Sequence, residues 1–256
     1  MTYKYIIKVE YDGSTFNGYG TQPHQNTIQD NLEKVLTMIN SNQKVKTFAT
    51  SRTDAKVHAY MQIVQFSLNK EFEIHNLKNK LNKMLKEQIN VLEIIKDYQD
   101  LINVRYDVIN KTYIYKVMQS KSPFYLNYAL YFPELLAVDQ MLEATKYLIG
   151  THNFTSFCNK NTDVINKIRT INYIKIYQKI ENNLTILYFE VNGNGFLYNM
   201  VRLIVGTLLM VGSNKYPSKK VQELLLQKKR TKECVLAPAH GLYLKEINYK
   251  QNFFKR

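Results

Sequence analysis

The sequence predicts an α+β fold made of two α/β halves, each with an antiparallel sheet. Strands are indicated by alternating apolar and polar residues, and helices by apolar residues that recur every three to four positions. In the first half these segments follow the order β-α-β-β-α-β, which is the order of a ferredoxin-like or RRM-like unit. The second half begins a similar series. We therefore predict domains at residues 1–105 and 106–256 that flank a central basic cleft.

The first half is predicted to open with a strand over residues 3–11. A helix should begin at Thr27, because Thr27 to Asp30 resembles a capping box with Asp in place of Glu. Its apolar face is formed by Ile28, Leu32, Val35, Leu36 and Ile39. The remaining predicted elements are strands near 45–50, 61–68 and 89–98, and a helix with Leu77, Leu81, Met84 and Leu85 on its apolar face.

The second half is predicted to open with a strand over residues 111–119, followed by a helix over 138–149 that ends with Gly150 at the C′ position. Strands at 168–180 and 184–193 surround a turn at Glu181, Asn182 and Asn183, a pattern typical of a hairpin. The last predicted elements are an apolar helix at 196–211, a charged helix at 217–229 and a strand at 241–249.

The composition favours a polyanionic partner. Lys plus Arg number 35 and Asp plus Glu number 21, which gives a net charge of +14. Nucleic acid is the first expectation and an anionic membrane surface the second, while a lysine-rich proteome is the alternative that involves no partner. Twenty Tyr and twelve Phe supply rings that can stack on bases, although most should lie in the core or in strands.

We expect a soluble cytoplasmic protein without a metal or cofactor. Met1 leads directly into a predicted strand, and the longest apolar run is too short to span a bilayer. Cys158 and Cys234 match no metal-ligand spacing, so two reduced thiols are expected. The segment "GNGFLY" begins like a dinucleotide fingerprint, but Tyr198 stands at its third glycine position and no acid follows at the required distance.

Two charged features stand out as candidate site residues. The segment "SRTDAKVHA" (51–59) lies between two predicted strands and is either a solvated turn or a site centred on Asp54. Arg202 lies inside an apolar helix and needs a carboxylate or phosphate partner if it is buried. A structural ion pair, or a side chain that reaches the surface, is the alternative. If Asp54 meets Arg202 across the cleft, the arginine favours the ionised aspartate, which suits a nucleophile.

Six segments, in order, resemble those of the tRNA pseudouridine synthase A family. "SRTDAKVHA" looks like its Gly-Arg-Thr-Asp-Ala-Gly-Val-His-Ala motif, and "VEYDGSTFNGYGTQP" looks like its N-terminal Asp-Gly-Ser loop. The segments "NVRYDVINKTYIYKV", "GTHNFTSF", "GFLYNMVRLIVGTL" and "APAHGLYL" are similar to further family segments. The resemblance implies a pseudouridine synthase fold and an isomerase, an intramolecular transferase that acts on uridines 38, 39 and 40 of the tRNA anticodon stem-loop.

The resemblance also implies roles for individual residues. Asp54 takes the position of the catalytic aspartate, Tyr113 that of the active-site tyrosine, and Arg202 that of the arginine that pairs with the aspartate. Further residues are expected to bind the substrate: Tyr113, Arg52, His58, Arg105, Phe196 and Leu242. The family resemblance also implies a homodimer that binds tRNA. The alternatives are a non-catalytic tRNA-binding or tRNA-folding protein and a metal-dependent nuclease built on Asp54.

Two departures from the family motif lie in the Asp54 loop. Ser51 replaces its first glycine and Lys56 its second. If the second glycine normally has a positive φ, Lys56 carries a conformational cost. Lys56 is alternatively an added contact to an RNA phosphate.

Overall fold

The structure, a computed structural model, describes residues 2–97, 102–251 and 253–254. The chain forms two compact units. The first contains Met1–Ile109 together with Leu244–Arg256, and the second contains Asn110–Tyr243. Helices and mostly antiparallel strands occur in the chain, so the predicted α+β class is confirmed.

The first unit follows the predicted order of strands and helices. Its elements are β1 (Tyr3–Tyr11), α1 (Ile28–Ile39), β2 (Phe48–Ala49), β3 (His58–Leu68), α2 (Ile74–Met84) and β4 (Ile89–Lys96). The predicted last strand of this half extended to Tyr98, which lies outside the described residues.

The second unit contains most of the remaining elements, which are β5 (Val108–Met118), β6 (Leu130–Tyr131), α3 (Val138–Thr145), β7 (Gly150–Asn153), β8 (Ile168–Glu181), β9 (Leu184–Gly193), α4 (Met200–Gly212), α5 (Lys220–Leu226) and β10 (Leu242–Tyr249). Within this unit the strands lie in the order β5-β9-β8-β7, and β6 pairs with β5 in parallel.

The sheet of the first unit has the strand order β4-β1-β3-β10, with β2 also paired to β3. Strand β1 is central and antiparallel to both neighbours, so that Ile7 lies opposite Val64 on one side and Ile94 on the other. The unit includes β10 from residue 244 onward, although β10 is the last strand in the chain. Local periodicity predicts β10 as a strand but carries no information about its partner.

Helix α1 buries the face that its sequence predicts. Ile28, Leu32 and Leu36 are fully buried. The Thr27 hydroxyl accepts a hydrogen bond from the Asp30 amide at 3.2 Å and donates one to the Asp30 carboxylate at 2.5 Å. The predicted N-terminal cap is therefore confirmed.

The hairpin of the second unit is also confirmed. Strands β8 and β9 are joined through Asn182 and Asn183, which have φ values of 47° and 62°. Positive φ at both central residues is the requirement of a type I′ turn, and asparagine tolerates it better than most residues. Helix α4 is buried on nearly all sides, as its apolar composition predicts.

Several predicted bounds were wrong. Strand β2 has two residues rather than six, because α1 side chains hydrogen-bond the chain before it: Thr37 Oγ1 accepts from the Val45 amide and Glu33 Oε1 from the Thr47 amide. Strand β3 starts three residues earlier than predicted. Helix α3 ends at Thr145, and Gly150, with φ of 104°, begins a strand instead of ending the helix.

The two last helices are shorter than predicted. Asn199 has a left-handed φ of 64°, so α4 begins only at Met200. Helix α5 covers Lys220–Leu226. Among the described residues, no helix has the length and apolar character needed to cross a membrane.

Candidate active site

The Asp54 loop leaves the sheet of the first unit after β2 and returns to it at β3. Gln62, which is fully buried on β3, holds the start of this loop. Its amide nitrogen donates to the Ser51 carbonyl at 2.7 Å, and its Oε1 accepts from the Ser51 amide at 3.3 Å. Thus a buried side chain three residues after the predicted motif fixes the residues that lead to Asp54.

A second loop, residues 12–20, supports the centre of the Asp54 loop. The Tyr11 hydroxyl, at the end of β1, lies 2.8 Å from Thr53 Oγ1. The Tyr19 amide donates to the Thr53 carbonyl at 3.0 Å, and the Lys56 amide donates to the Phe16 carbonyl at 3.2 Å. Backbone contacts therefore hold the loop on both sides of Asp54.

Two glycines allow this close approach of the loops. A Cβ at Gly13 would lie 2.0 Å from the Val57 carbonyl oxygen, and a Cβ at Gly18 would lie 2.8 Å from the Thr53 carbonyl oxygen. Gly18 also has a φ of 97°, which side chains disfavour. Asp54 itself is half-buried between these supports.

His58 is buried, with 2% exposure, at the first position of β3. Its Nδ1 accepts a hydrogen bond from the Gly13 amide at 3.1 Å, and Asp12 Oδ1 lies at the same distance from it. The side chain thus ties the end of the Asp54 loop to the supporting loop. Its predicted contact with the target nucleotide stays a prediction.

The exposed residues of the loop are cationic. Arg52 and Lys56 are both exposed, on either side of Asp54. Lys56 has a φ of 64°, in the region that glycine adopts most readily. The left-handed backbone of Lys56 therefore carries a conformational cost that glycine would not have.

Tyr113 lies on β5 in the second unit, opposite Val191 of β9. Its side chain is 8% exposed and packs edge-on against Phe196, with ring centroids 5.2 Å apart and an interplanar angle of 85°. Phe196 is half-buried. The structure thus brings together two of the predicted substrate-binding residues in an arrangement that aromatic pairs prefer.

Arg202 lies in the first turn of α4 and is half-buried. Its Nε donates to the Ala237 carbonyl at 2.8 Å, and its Nη1 donates to Asn199 Oδ1 at 2.9 Å. The Ala237 amide in turn donates to the Arg202 carbonyl at 3.2 Å. Reciprocal bonds with the chain before β10 therefore fix the position of this guanidinium.

Tyr115 is a fully buried neighbour of these residues that the sequence did not single out. It lies two positions after Tyr113, so both side chains project from the same face of β5. Its hydroxyl donates to the Pro238 carbonyl at 2.7 Å. Burial raises the pKa of Tyr115, and the charge of Arg202 opposes that rise. The Tyr-x-Tyr spacing in a predicted strand indicates that a second tyrosine lies on this face.

The other predicted residues occupy different environments. Leu242 is buried at the start of β10, directly after Gly241, where a Cβ would lie 2.7 Å from Tyr115 Cζ. Arg105 is exposed in a turn of the first unit, and its amide donates to Asn103 Oδ1 at 3.1 Å. The predicted pairing of Asp54 with Arg202 involves residues of both units and stays a prediction.

One protein family matches most of this chain. The family model described as tRNA pseudouridine synthase matches residues 7–107 and 144–250. The chain belongs to this family. The tRNA pseudouridine synthase family isomerises uridine to pseudouridine in tRNA. Both matched ranges contain predicted site residues: Asp54 in the first and Arg202 in the second.

Curated relatives of this chain match nearly its whole length. A protein named tRNA pseudouridine synthase A 1 from Bacillus cereus is 40% identical over 243 residues, which cover 94% of this chain and 96% of the relative. A tRNA pseudouridine synthase A from Streptococcus agalactiae is 38% identical over 249 residues, which cover 96% and 95%.

One solved structure that matches is a Cbf5-Nop10-Gar1 complex. The likeness covers 80% of this chain and 45% of that chain, at 14% identity and a TM-score of 0.34. This score is too low to support any conclusion about the site.

Proposed function

We propose that this protein isomerises uridine to pseudouridine at positions 38, 39 and 40 in the anticodon stem-loop of tRNA, with Asp54 as the catalytic carboxylate. The observation that carries the proposal is the Asp54 loop itself. An aspartate of the family motif lies half-buried on a loop that backbone bonds hold on both sides. Such support provides the fixed geometry that a reacting carboxylate needs.

The reaction is a rearrangement in which no atom is gained or lost overall. The N1–C1′ bond of the uridine breaks, the uracil turns, and C5 bonds to C1′. The proton on C5 leaves and a proton is taken up at N1, so the balance requires no oxidant and no cofactor. Asp54 can attack C1′ or the base, or it can assist loss of the C2′ proton, and each of these roles requires an ionised carboxylate close to the target nucleoside.

The residues of the second unit fit the remaining requirements. Tyr113 stacks on the target base and helps to move the C5 proton in our proposal. The guanidinium of Arg202 pairs with Asp54 across a basic cleft and keeps it ionised. Phe196 and Leu242 form apolar walls that keep the freed uracil from water.

The cationic residues serve the RNA backbone. Arg52 and Arg105 are exposed and able to contact phosphates, and His58 holds the loop near the flipped nucleotide. Extrusion of the target uridine from its stack costs a few kcal/mol. Phosphate contacts offset this cost, and the net charge of +14 supports such binding. We further propose that the protein acts in the cytoplasm as a homodimer, with one tRNA in contact with both subunits.

Incubation of the purified protein with tRNA transcripts that lack modification tests the activity directly. Pseudouridine at positions 38 to 40, mapped by chemical modification and primer extension, is the expected product, and it should form without added metal. A protein that binds the transcript but makes no pseudouridine would instead be the non-catalytic tRNA-binding protein. Metal-dependent strand cleavage would indicate a nuclease.

A further inference from the structure

A basic cavity lies within the second unit, at the N-terminal end of α4. Its volume is about 580 Å³, which is ample for one or two phosphate groups. Four cationic residues line it: Lys160, Lys229, Arg230 and Lys232. Lys229, Arg230 and Lys232 belong to the lysine-rich segment "QKKRTK" (227–232), which the sequence offers only as a general support for phosphate contacts. None of the four cations is among the residues of the proposed active site.

No carboxylate balances these charges within the described part of the chain. The described residues that line the cavity include neither Asp nor Glu, and none of the four cations has an acidic side chain within 4.0 Å among the residues described. Glu233 follows Lys232 in sequence, but its carboxylate bonds the amine of Lys220 at 2.6 Å. Four like charges in one concavity attract an anion strongly.

The walls of the cavity are fixed by hydrogen bonds. The Lys229 amide donates to Oγ of the fully buried Ser156 at 3.0 Å. The Asn159 amide donates to the Tyr198 carbonyl at 3.0 Å, and the Arg230 guanidinium donates to the Thr231 carbonyl. These bonds therefore fix the backbone segments that carry the cations.

The start of α4 adds to the positive potential. Asn199, the N-cap residue of this 13-residue helix, lines the cavity, and its side chain makes no capping hydrogen bond. The amides at a helix N-terminus carry a partial positive charge and favour phosphate. Asn199 Oδ1 instead accepts the bond from Arg202, so the cavity lies one side chain away from the proposed catalytic arginine.

The lining favours a phosphate over a nucleobase. Besides the four cations, it consists of polar residues and two leucines, and none of the described lining residues is aromatic. Recognition of a single-stranded base usually involves an aromatic ring on which the base stacks. Lysines and amides suit the oxygens of a phosphodiester.

We propose that this cavity binds phosphate groups of the tRNA backbone close to the target nucleotide. This inference rests on the proposed function, because it takes tRNA as the ligand. The cavity then positions the RNA strand next to Arg202 and contributes affinity that depends on salt concentration.

The test compares two triple variants that lose the same charge. One carries Lys160→Ala, Lys229→Ala and Lys232→Ala, all at exposed side chains, and leaves the half-buried Arg230 in place. The control removes three exposed lysines elsewhere, Lys34, Lys44 and Lys146, also by replacement with alanine. The dissociation constant for tRNA is measured for each protein between 50 and 200 mM salt, roughly the range over which phosphate contacts dominate the change.

The cavity variant should bind tRNA roughly 10-fold more weakly at the lowest salt, and its slope of log affinity against log salt should fall by about 1 to 2. The control should keep the slope of the wild type. Equal losses in both triple variants, or no change in the cavity variant, would overturn the proposal, since net charge alone would then explain the binding.

Two further measurements separate the remaining outcomes. Pyrophosphate is titrated by calorimetry into the cavity variant and into the control variant. If only the cavity variant fails to bind pyrophosphate while its tRNA affinity keeps the salt slope of the wild type, the cavity is a site for small anions and the proposal is overturned. Pseudouridine formation by the wild type is measured in parallel. If the wild type makes none while the cavity variant loses tRNA affinity selectively, the proposed function fails and the phosphate site stands.

Discussion

Replacement of Lys56 by glycine should stabilise the protein. Lys56 has a φ of 64°, and a left-handed conformation costs a residue with a Cβ about 1 to 2 kcal/mol. Glycine removes that cost, but it loses about 0.5 to 1 kcal/mol more backbone freedom on folding. The net gain expected for Lys56→Gly is therefore about 0.5 to 1 kcal/mol.

Lys56→Ala is the matched control, because it removes the same exposed, charged side chain and keeps the cost of the positive φ. Lys56→Asn should lie between the two variants, since asparagine tolerates this conformation better than alanine. The backbone bond from residue 56 to the Phe16 carbonyl is available to all three variants.

Thermal unfolding measures this difference. For a chain of this size, about 1 kcal/mol corresponds to a change in Tm of roughly 2 to 4 °C. The expected order of decreasing Tm, which is Gly, Asn and then Ala at position 56, should therefore be resolved. A Lys56→Ala protein as stable as Lys56→Gly would refute the left-handed conformation. If all three variants lose the same amount of tRNA affinity, the lysine side chain contacts a phosphate.

Three further outcomes are expected. Gly18→Ala should destabilise the protein and reduce pseudouridine formation, because its Cβ would lie 2.8 Å from the Thr53 carbonyl oxygen; an unchanged Tm would contradict the close contact. Tyr113→Phe should keep tRNA affinity but slow turnover, and unchanged turnover would exclude its hydroxyl from proton transfer. Burial and Glu190 raise the pKa of Tyr177 to about 12. The folded state therefore holds the phenol proton more tightly than the unfolded state, whose pKa is near 10. Its contribution to stability should be complete below pH 10 and lost as the pH rises to 12. In urea unfolding, the free energy of unfolding of Tyr177→Phe should therefore fall less than that of the wild type over this range.

Much of the fold could be predicted because the signals are local. Alternation along β1 and β8, the cap at Thr27 and the asparagines of the β8–β9 turn all act within a few residues of where they stand. The bounds that failed depend on distant or unusual features. Side chains of α1 bond the chain before β2, and the left-handed Asn199 delays the start of α4.

The site was predictable only as far as the family motif extends. Asp54, Tyr113 and Arg202 are proposed from their motif positions, and the buried-charge argument indicates Arg202 independently. Their supports come from elsewhere in the chain. Gly13 lies against the backbone of Val57, which is 44 positions away in the sequence, and nothing local to either residue indicates that contact.

The catalytic role of Asp54 is the central claim, and Asp54→Asn tests it most directly. The amide has nearly the same shape as the carboxylate and keeps the loop intact, but it has neither the charge nor the nucleophilicity. Single-turnover pseudouridine formation and tRNA affinity are measured on the same protein with the same transcript. The affinity of Asp54→Asn for tRNA should stay within about threefold of the wild type, because backbone phosphate contacts dominate binding, and the variant should form no detectable pseudouridine. Substantial pseudouridine formation by Asp54→Asn would show that the Asp54 carboxylate is not the catalytic group.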